Sequence, residues 1–416
     1  MKYFCLLLVF SGAVLPAWGQ PATELNVNSR YTIESIEITG VSKYKLSKAL
    51  AEEVHRLTGQ KFDPEAVREL ARKLRNELHA RAVSQKLARG DQPEQLKVTL
   101  EVKPQERRFD VALPKAMYYS RGGWTGDVEG KVRLDSASSV TVGVLSDSDA
   151  LLERYAGITA RYENTKLESD RVRLRFTFEG YHQQWNASTL EALDRAGEAA
   201  GASGIYRARY NLEPVVSVVL ARPLTLSAGV SFGFVETQFP ASRTQAANAV
   251  VGGLRYHDQL EDSAGRKHTV EAGYRLRAAS KSLASDFGYT RQRWDLGYEI
   301  GWSKQAVAAS FAAGVLTGRA PLYERFVLGN SETLRGWSKF DVAPLGGDRM
   351  AHTSLEYRYE DFAVFYDVGA DWMRGGAALA RHSVGVGLRD PNFFAFLAFP
   401  IKTRRAEPIF MVGTNF

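Results

Sequence analysis

Arg171-Val172-Arg173-Leu174-Arg175-Phe176-Thr177-Phe178-Glu179 alternates without a break: Val172, Leu174, Phe176 and Phe178 fall on one face of an extended chain, and the charged or polar residues fall on the other. The segment is a half-buried strand. Comparable segments centre on Phe109, Val128, Val140, Ala160, Tyr210, Ser227, Val251, Ala272, Leu296 and Ala309, and again on Leu355, Phe365, Val386, Phe396 and Val412. Together they predict a mostly β chain with sixteen antiparallel strands, fourteen being the alternative count. A soluble sandwich alternates in the same way. The number of strands, an apolar leader and a last segment in which Phe410, Val412 and Phe416 share a face with Thr414 favour a transmembrane β-barrel over residues 108–416.

Transmembrane barrels have short periplasmic turns and longer outer loops. With the Phe109 strand as the first, the long 186–204 connection, the 329–337 loop and residues 402–407 all fall outside. Short links at Arg222-Pro223, Ser303-Lys304, Glu360-Asp361 and Asp390-Pro391 fall inside. The 258–267 connection is longer than this scheme expects.

Residues 1–19 have the form of a secretory signal: Met1-Lys2, an apolar core from Cys5 to Leu15, then Ala17-Trp18-Gly19. Cys5 is the sole cysteine, so the remainder lacks disulfide, thiolate-metal and cysteine-nucleophile chemistry. No apolar run elsewhere reaches the ~18 residues that a spanning helix needs. The net charge of +7 is interspersed, which suits lumen lining and contact with anionic lipid rather than nucleic acid.

A small α/β unit is expected over 30–104, in the order β-α-α-β-β. Ile33, Ile36 and Ile38 mark a strand ended by Gly40, and Leu46, Leu50, Val54 and Leu57 mark a helix stopped by Gly59. Asp63-Pro64 opens a second helix with Val67, Leu70, Ala71, Leu74 and Leu78 on one face. Ala82 to Leu87 reads as a weak strand, and Leu96, Val98, Leu100 and Val102 as a strong one.

One loop stands out in the β region. Gly329-Asn330-Ser331-Glu332-Thr333-Leu334-Arg335-Gly336-Trp337 sets an arginine beside an aromatic between turn-forming residues. It is followed by Gly346-Gly347-Asp348-Arg349-Met350, Ser354-Leu355-Glu356-Tyr357-Arg358, Phe365-Tyr366-Asp367-Val368-Gly369 and Gly385-Val386-Gly387-Leu388-Arg389, and the chain stops on Phe416. This ordered series, over roughly the last ninety residues, resembles the superfamily of BamA/TamA-type outer-membrane assembly factors and two-partner secretion translocases. Trp337 stands where the family usually has Tyr or Phe. Asp390-Pro391-Asn392 and an all-apolar Phe393 to Phe399 depart from the family's Gly-Pro turn and more alternating strand.

The resemblance implies that the 30–104 unit is a single POTRA-like domain in the periplasm, where an exposed sheet edge could pair with a client or partner backbone. It implies no cofactor, metal or catalytic residue. It implies an outer-membrane location among lipid and lipopolysaccharide. The activity would be insertion or translocation of unfolded outer-membrane or secreted clients, with a periplasmic or inner-membrane partner reached through the POTRA unit. A passive pore or structural surface antigen is the alternative.

Alternation turns Ser354, Glu356 and Arg358 inward on one strand, and Asp367, Gly369 and Asp371 inward on the next. In the family the loop arginine folds into the barrel and meets acidic residues at these positions, so Leu334, Arg335, Gly336 and Trp337 form the expected lumen motif, with Glu356 and Asp367 as acidic partners of Arg335. Phe410, Val412 and Phe416 resemble the family's C-terminal targeting signal. Gly229-Val230-Ser231-Phe232-Gly233 matches Gly-x-Ser-x-Gly, but lies within a predicted strand rather than at the strand-to-helix elbow that a nucleophile needs.

Overall fold

The computed structural model describes residues 30–40, 47–78, 80–104, 108–196, 205–239, 242–402 and 407–415. The expected leader, Leu46 and Phe416 lie outside them. The chain divides into two units, at Arg107 and Arg108.

The N-terminal unit contains β1 (Thr32–Thr39), α1 (Lys48–Leu57), α2 (Pro64–Glu77), β2 (Ala80–Arg89) and β3 (Gln95–Pro104). Ser47 caps α1 by accepting from the Leu50 amide, and Asp63 caps α2 by accepting from the Glu65 amide, with Pro64 in the first turn. α2 buries Val67, Leu70 and Leu74 in a core with Ile33, Leu96, Val98 and Leu100. Each such side chain contributes about 1.5–3 kcal/mol by leaving water. The sheet order is β1-β3-β2, with β1 parallel and β2 antiparallel to β3. A register shift between Ile33 and Ser35 explains why Ile33 and Ile36, an odd number of positions apart, both belong to the apolar core. Gly40 is required at its turn: its φ is +87°, and a Cβ would lie 2.2 Å from the Val102 carbonyl oxygen. β2 is longer than its sequence predicts. Its Ser84, Gln85 and Lys86 give it weak strand character, and pairing with β3 along its whole length supplies the rest.

The second unit is a closed antiparallel barrel of sixteen strands. They are β4 (Phe109–Tyr119), β5 (Gly123–Arg133), β6 (Ser138–Asp147), β7 (Arg154–Asn164), β8 (Val172–Gln184), β9 (Ile205–Ala221), β10 (Leu224–Phe239), β12 (Ala249–Glu261), β13 (Lys267–Ala279), β14 (Gly288–Trp302), β15 (Gln305–Arg319), β16 (Arg349–Tyr359), β17 (Phe362–Trp372), β18 (Arg381–Arg389), β19 (Phe394–Pro400) and β20 (Ile409–Asn415). The short β11 (Arg243–Ala246) pairs with the upper part of β10 and continues the line of β12. All sixteen predicted centres lie in these strands.

Exposed apolar side chains such as Phe178, Leu212, Leu254, Leu296 and Leu355 form the outer surface expected of a lipid-facing barrel. Connections at one end are tight: Arg222-Pro223, Ser303-Lys304 and Glu360-Asp361 are two-residue turns. The 258–267 link also shortens, because β12 and β13 extend to Glu261 and Lys267, and the Asp262 carboxylate accepts from the amides of Ala264 and Arg266. At the other end lie the long connections, including α3 (Ala187–Ala196), which the sequence reading leaves as loop, and residues 320–348 with α4 (Lys339–Val342).

Candidate functional site

The 320–348 loop is closed at its base by paired amide–carbonyl bonds between Phe326 and Gly347, each 2.9 Å. Asn330 shapes its tip, its Oδ1 accepting from the amides of Glu332 and Thr333 and from the Thr333 hydroxyl. Leu334 is fully buried in a cluster with Phe326, Leu328, Trp337 and Met350. These contacts hold the loop within the barrel.

Arg335 meets both predicted carboxylates. Its Nη1 donates to Glu356 Oε2 at 2.7 Å, its Nε to Asp367 Oδ2 at 2.9 Å, and its Nη2 to Asp367 Oδ1 at 2.9 Å. The Asp367 arrangement uses the planar fork of guanidinium, which lysine lacks. The Arg335 amide also donates to Asp367 Oδ2, and Ser354 Oγ bridges by accepting from Nη2 while donating to Asp367 Oδ1. β16–β17 register makes this possible: Ser354 is directly opposite Asp367, and Glu356 opposite Phe365.

Phe365 completes the seat, with the guanidinium carbon 3.4 Å from its ring centroid. Phe396 lies edge-on to Phe365 and stacks on Phe394. This accounts for the apolar inner face of β19: Phe394, Phe396 and Ala398 pack inward with Met117, Ile409 and Met411, while Leu397 and Phe399 face out.

The two neighbours of Arg335 in the motif have steric and polar reasons of their own. A Cβ on Gly336 would lie 2.5 Å from Ser383 Cβ and about 3 Å from the backbone of Phe399 and Pro400. Trp337 Nε1 donates to the His382 carbonyl, and its own carbonyl accepts from the Tyr119 hydroxyl at 2.7 Å. Arg381 and Lys402 lie over its ring.

Further anchors escape sequence reasoning. Asp149, in the 148–153 connection, accepts from the Ser331 amide and hydroxyl, and Lys339 Nζ donates to the carbonyls of Ser148 and Leu151. Glu324 pairs with Arg277 at 3.0 Å and accepts from the Tyr289 hydroxyl. The loop is thus pinned to three parts of the wall. Nothing in sequence spacing separates Asp149 or Glu324 from other acidic residues. Glu153 in the same connection accepts from the Tyr206 hydroxyl, and complete burial pushes its carboxyl up to about 7.

Ser231 of Gly229 to Gly233 lies within β10, its hydroxyl between Asn211 and Arg277. No strand-to-helix elbow is present there.

The seam closing the barrel is short. β20 and β4 pair only along 411–415 and 115–119, whereas β14 and β15 pair along all of Gly288–Trp302. Val412 faces Tyr118, not Val111 as a matched start-to-end pairing would suggest. Among the described residues, 109–114 have no partner on the β20 side. Pro114 stands there, where β4 bulges against β5, a position tolerant of a missing amide donor. Phe410 and Val412 lie on the outward face of β20.

Residues 268–391 match the Omp85 superfamily domain. Comparison with curated proteins gave no match. Among solved structures, BamA from Haemophilus ducreyi lacking POTRA domains 1–3 is 16% identical, with a TM-score of 0.58 and coverage of 93% of this chain and 85% of that one. CdiB from Escherichia coli is 13% identical (TM-score 0.51, covering 93% and 77%), and CdiB from Acinetobacter baumannii 11% (0.54, covering 93% and 74%). At these identities the likeness is one of fold. The chain thus carries an Omp85 superfamily domain over residues 268–391 and shares its fold with these structures.

Proposed function

We propose that this protein resides in the outer membrane and assists insertion or translocation of unfolded client proteins, without covalent chemistry. The observation that carries the reading is the seam: the first strand presents an edge that the last strand covers over only part of its length. Unpaired backbone groups are costly in lipid, and a client strand that borrows partners from such an edge enters the bilayer at lower free energy. The Arg335 seat keeps the 320–348 loop docked beside β16 to β19, close to that seam, so its role is to hold the barrel in a competent state.

In this reading residues 1–19 direct export, and Phe410, Val412 and Phe416 mark the chain for its own assembly. The 30–104 unit is a POTRA-like module in the periplasm. Its β2 is the edge open to a client or a periplasmic or inner-membrane partner, because β3 covers one side alone, while the start of β1 is bonded to residues 59–62. Lipid and lipopolysaccharide surround the barrel.

Reconstitution tests this directly. Proteoliposomes containing the protein should accelerate folding of a denatured client barrel over empty liposomes, and photocrosslinkers near 109–114 should capture client strands. Ion conductance with no acceleration and no crosslinks would instead establish a passive pore.

A further inference from the structure

Five arginines face the lumen across one sector of the wall: Arg173 and Arg175 on β8, Arg255 on β12, Arg275 on β13 and Arg293 on β14. Their strand neighbours Phe176, Leu254 and Trp294 are exposed on the outer surface, so alternation directs the arginines inward. Arg175 and Arg275 line a cavity of about 210 Å³. Arg255, Arg275 and Arg293 line another of about 550 Å³, which shares Ser227, Gly253 and Arg275 with the first and reaches Glu332 and Thr333 of the inner loop. The two make one trough.

Register aligns its sides. Arg173 is level with Arg275 through Ser217, Ser227 and Gly253, a floor of small side chains. The four strand steps between them span roughly 19 Å of arc. Along β8, Arg173 and Arg175 are two residues apart, about 7 Å, which is the spacing of same-face side chains on any extended polypeptide. Among the described residues, Asp295 is the only carboxylate paired with any of the five, and it serves Arg275 and Arg293 together. Arg173, Arg175 and Arg255 are exposed to the lumen.

We propose that this trough binds an acidic stretch of polypeptide in extended conformation, with carboxylates at alternating positions. Against the carboxylates Glu213, Glu271, Asp295 and Glu332 the trough sets Arg175, Arg255, Arg275, Arg277, Arg291 and Arg293, an excess of positive charge that selects an anion. The two-residue repeat beside a floor of serine and glycine favours a polypeptide over a compact phosphate. The proposal deepens the reading that client segments engage this protein, by naming the charge and conformation of the segment that enters the lumen.

The test is binding of two short fluorescent peptides to the detergent-solubilised full chain, one alternating Glu with Thr and one alternating Gln with Thr. The Glu peptide should bind at least about tenfold more tightly, a difference of about 1.4 kcal/mol. Its affinity should fall as salt is raised. Replacing Arg173, Arg175 and Arg255 together by Gln should remove that preference while a folded barrel is retained. Equal binding of the two peptides, an unchanged preference in the folded triple variant, or displacement by inorganic phosphate as effective as by the Glu peptide would overturn the proposal. If the triple variant does not fold, the peptide comparison on the unaltered chain decides. Peptide binding without client acceleration would contradict the functional reading alone, and acceleration without peptide preference would contradict this inference alone.

Discussion

Arg335 grips Asp367 from two directions: its guanidinium spans both carboxylate oxygens at 2.9 Å, and its own amide donates to Oδ2 at 3.2 Å. Side chain and backbone of the loop are fixed by the same buried acid, so the ion pair sets the position of the loop itself. Breaking one partner of such a pair costs about 3–5 kcal/mol, because a desolvated charge is left uncompensated. Arg335→Ala should therefore release the loop, raising protease cleavage within 320–348 and lowering client insertion more than barrel yield. Arg335→Lys should restore only part. Arg335→Glu should be worse than Ala. Glu356 also faces Arg389 at 3.4 Å and Arg358 at 3.8 Å, so Glu356→Arg should fail to rescue Arg335→Glu. Equal protease patterns in all variants would remove the pairing from the account.

Gly336→Ala separates fit from charge. The added methyl has no room beside Ser383 and the Phe399–Pro400 backbone, and overpacking of this kind costs on the order of 1–3 kcal/mol. Loop cleavage should rise with Arg335 intact, and Ser383→Gly in the same chain should recover part of the loss, since backbone crowding persists. A Gly336→Ala protein with an unaltered cleavage pattern would show that the loop does not sit against β18 and β19.

Strand parity predicts which rim faces the cell exterior. With Cys5 the sole cysteine, Asp194→Cys in α3 should react with an impermeant thiol reagent on intact cells, and Ala264→Cys in the tight 262–266 turn only after the outer membrane is ruptured. The reverse pattern would invert the barrel.

The buried Glu153 gives the 148–153 connection a pH dependence of definite sign. Its folded value, raised to about 7 from an ordinary 4.5, means that the folded state holds the proton more tightly. Its contribution is intact below about 4.5 and is lost as pH rises through about 7, on the order of 3 kcal/mol at most. Protease cleavage in 148–153 should increase across that window, and Glu153→Gln should flatten the increase. A rise of equal size in the Gln variant would assign it to another group.

Much of this was legible in sequence because a strand's period is two. The same alternation that located sixteen strands turned Glu356 and Asp367 inward and Leu355 and Tyr366 outward. Register is not encoded that way. Val412 pairs with Tyr118 because of where β20 ends and β4 bulges, and neither strand's own pattern states it. The apolar inner face of β19 departs from simple alternation because Phe396 packs against Phe365 beneath Arg335, a contact that the strand's own sequence does not state. Asp149, Glu324 and Lys339 were hidden for a related reason: each acts across the lumen, on a partner far away in sequence.

The seam lock tests the central claim most directly. Facing residues on antiparallel neighbours have Cα atoms about 4.5–5.5 Å apart, within disulfide reach. Tyr118→Cys with Val412→Cys should therefore crosslink in the folded barrel, whereas Val111→Cys with Val412→Cys should not. The measurement is client folding into proteoliposomes by the locked protein before and after reduction. The account predicts that the oxidised form, folded and inserted, loses its acceleration and regains it with reductant. Undiminished acceleration in fully crosslinked protein would contradict it.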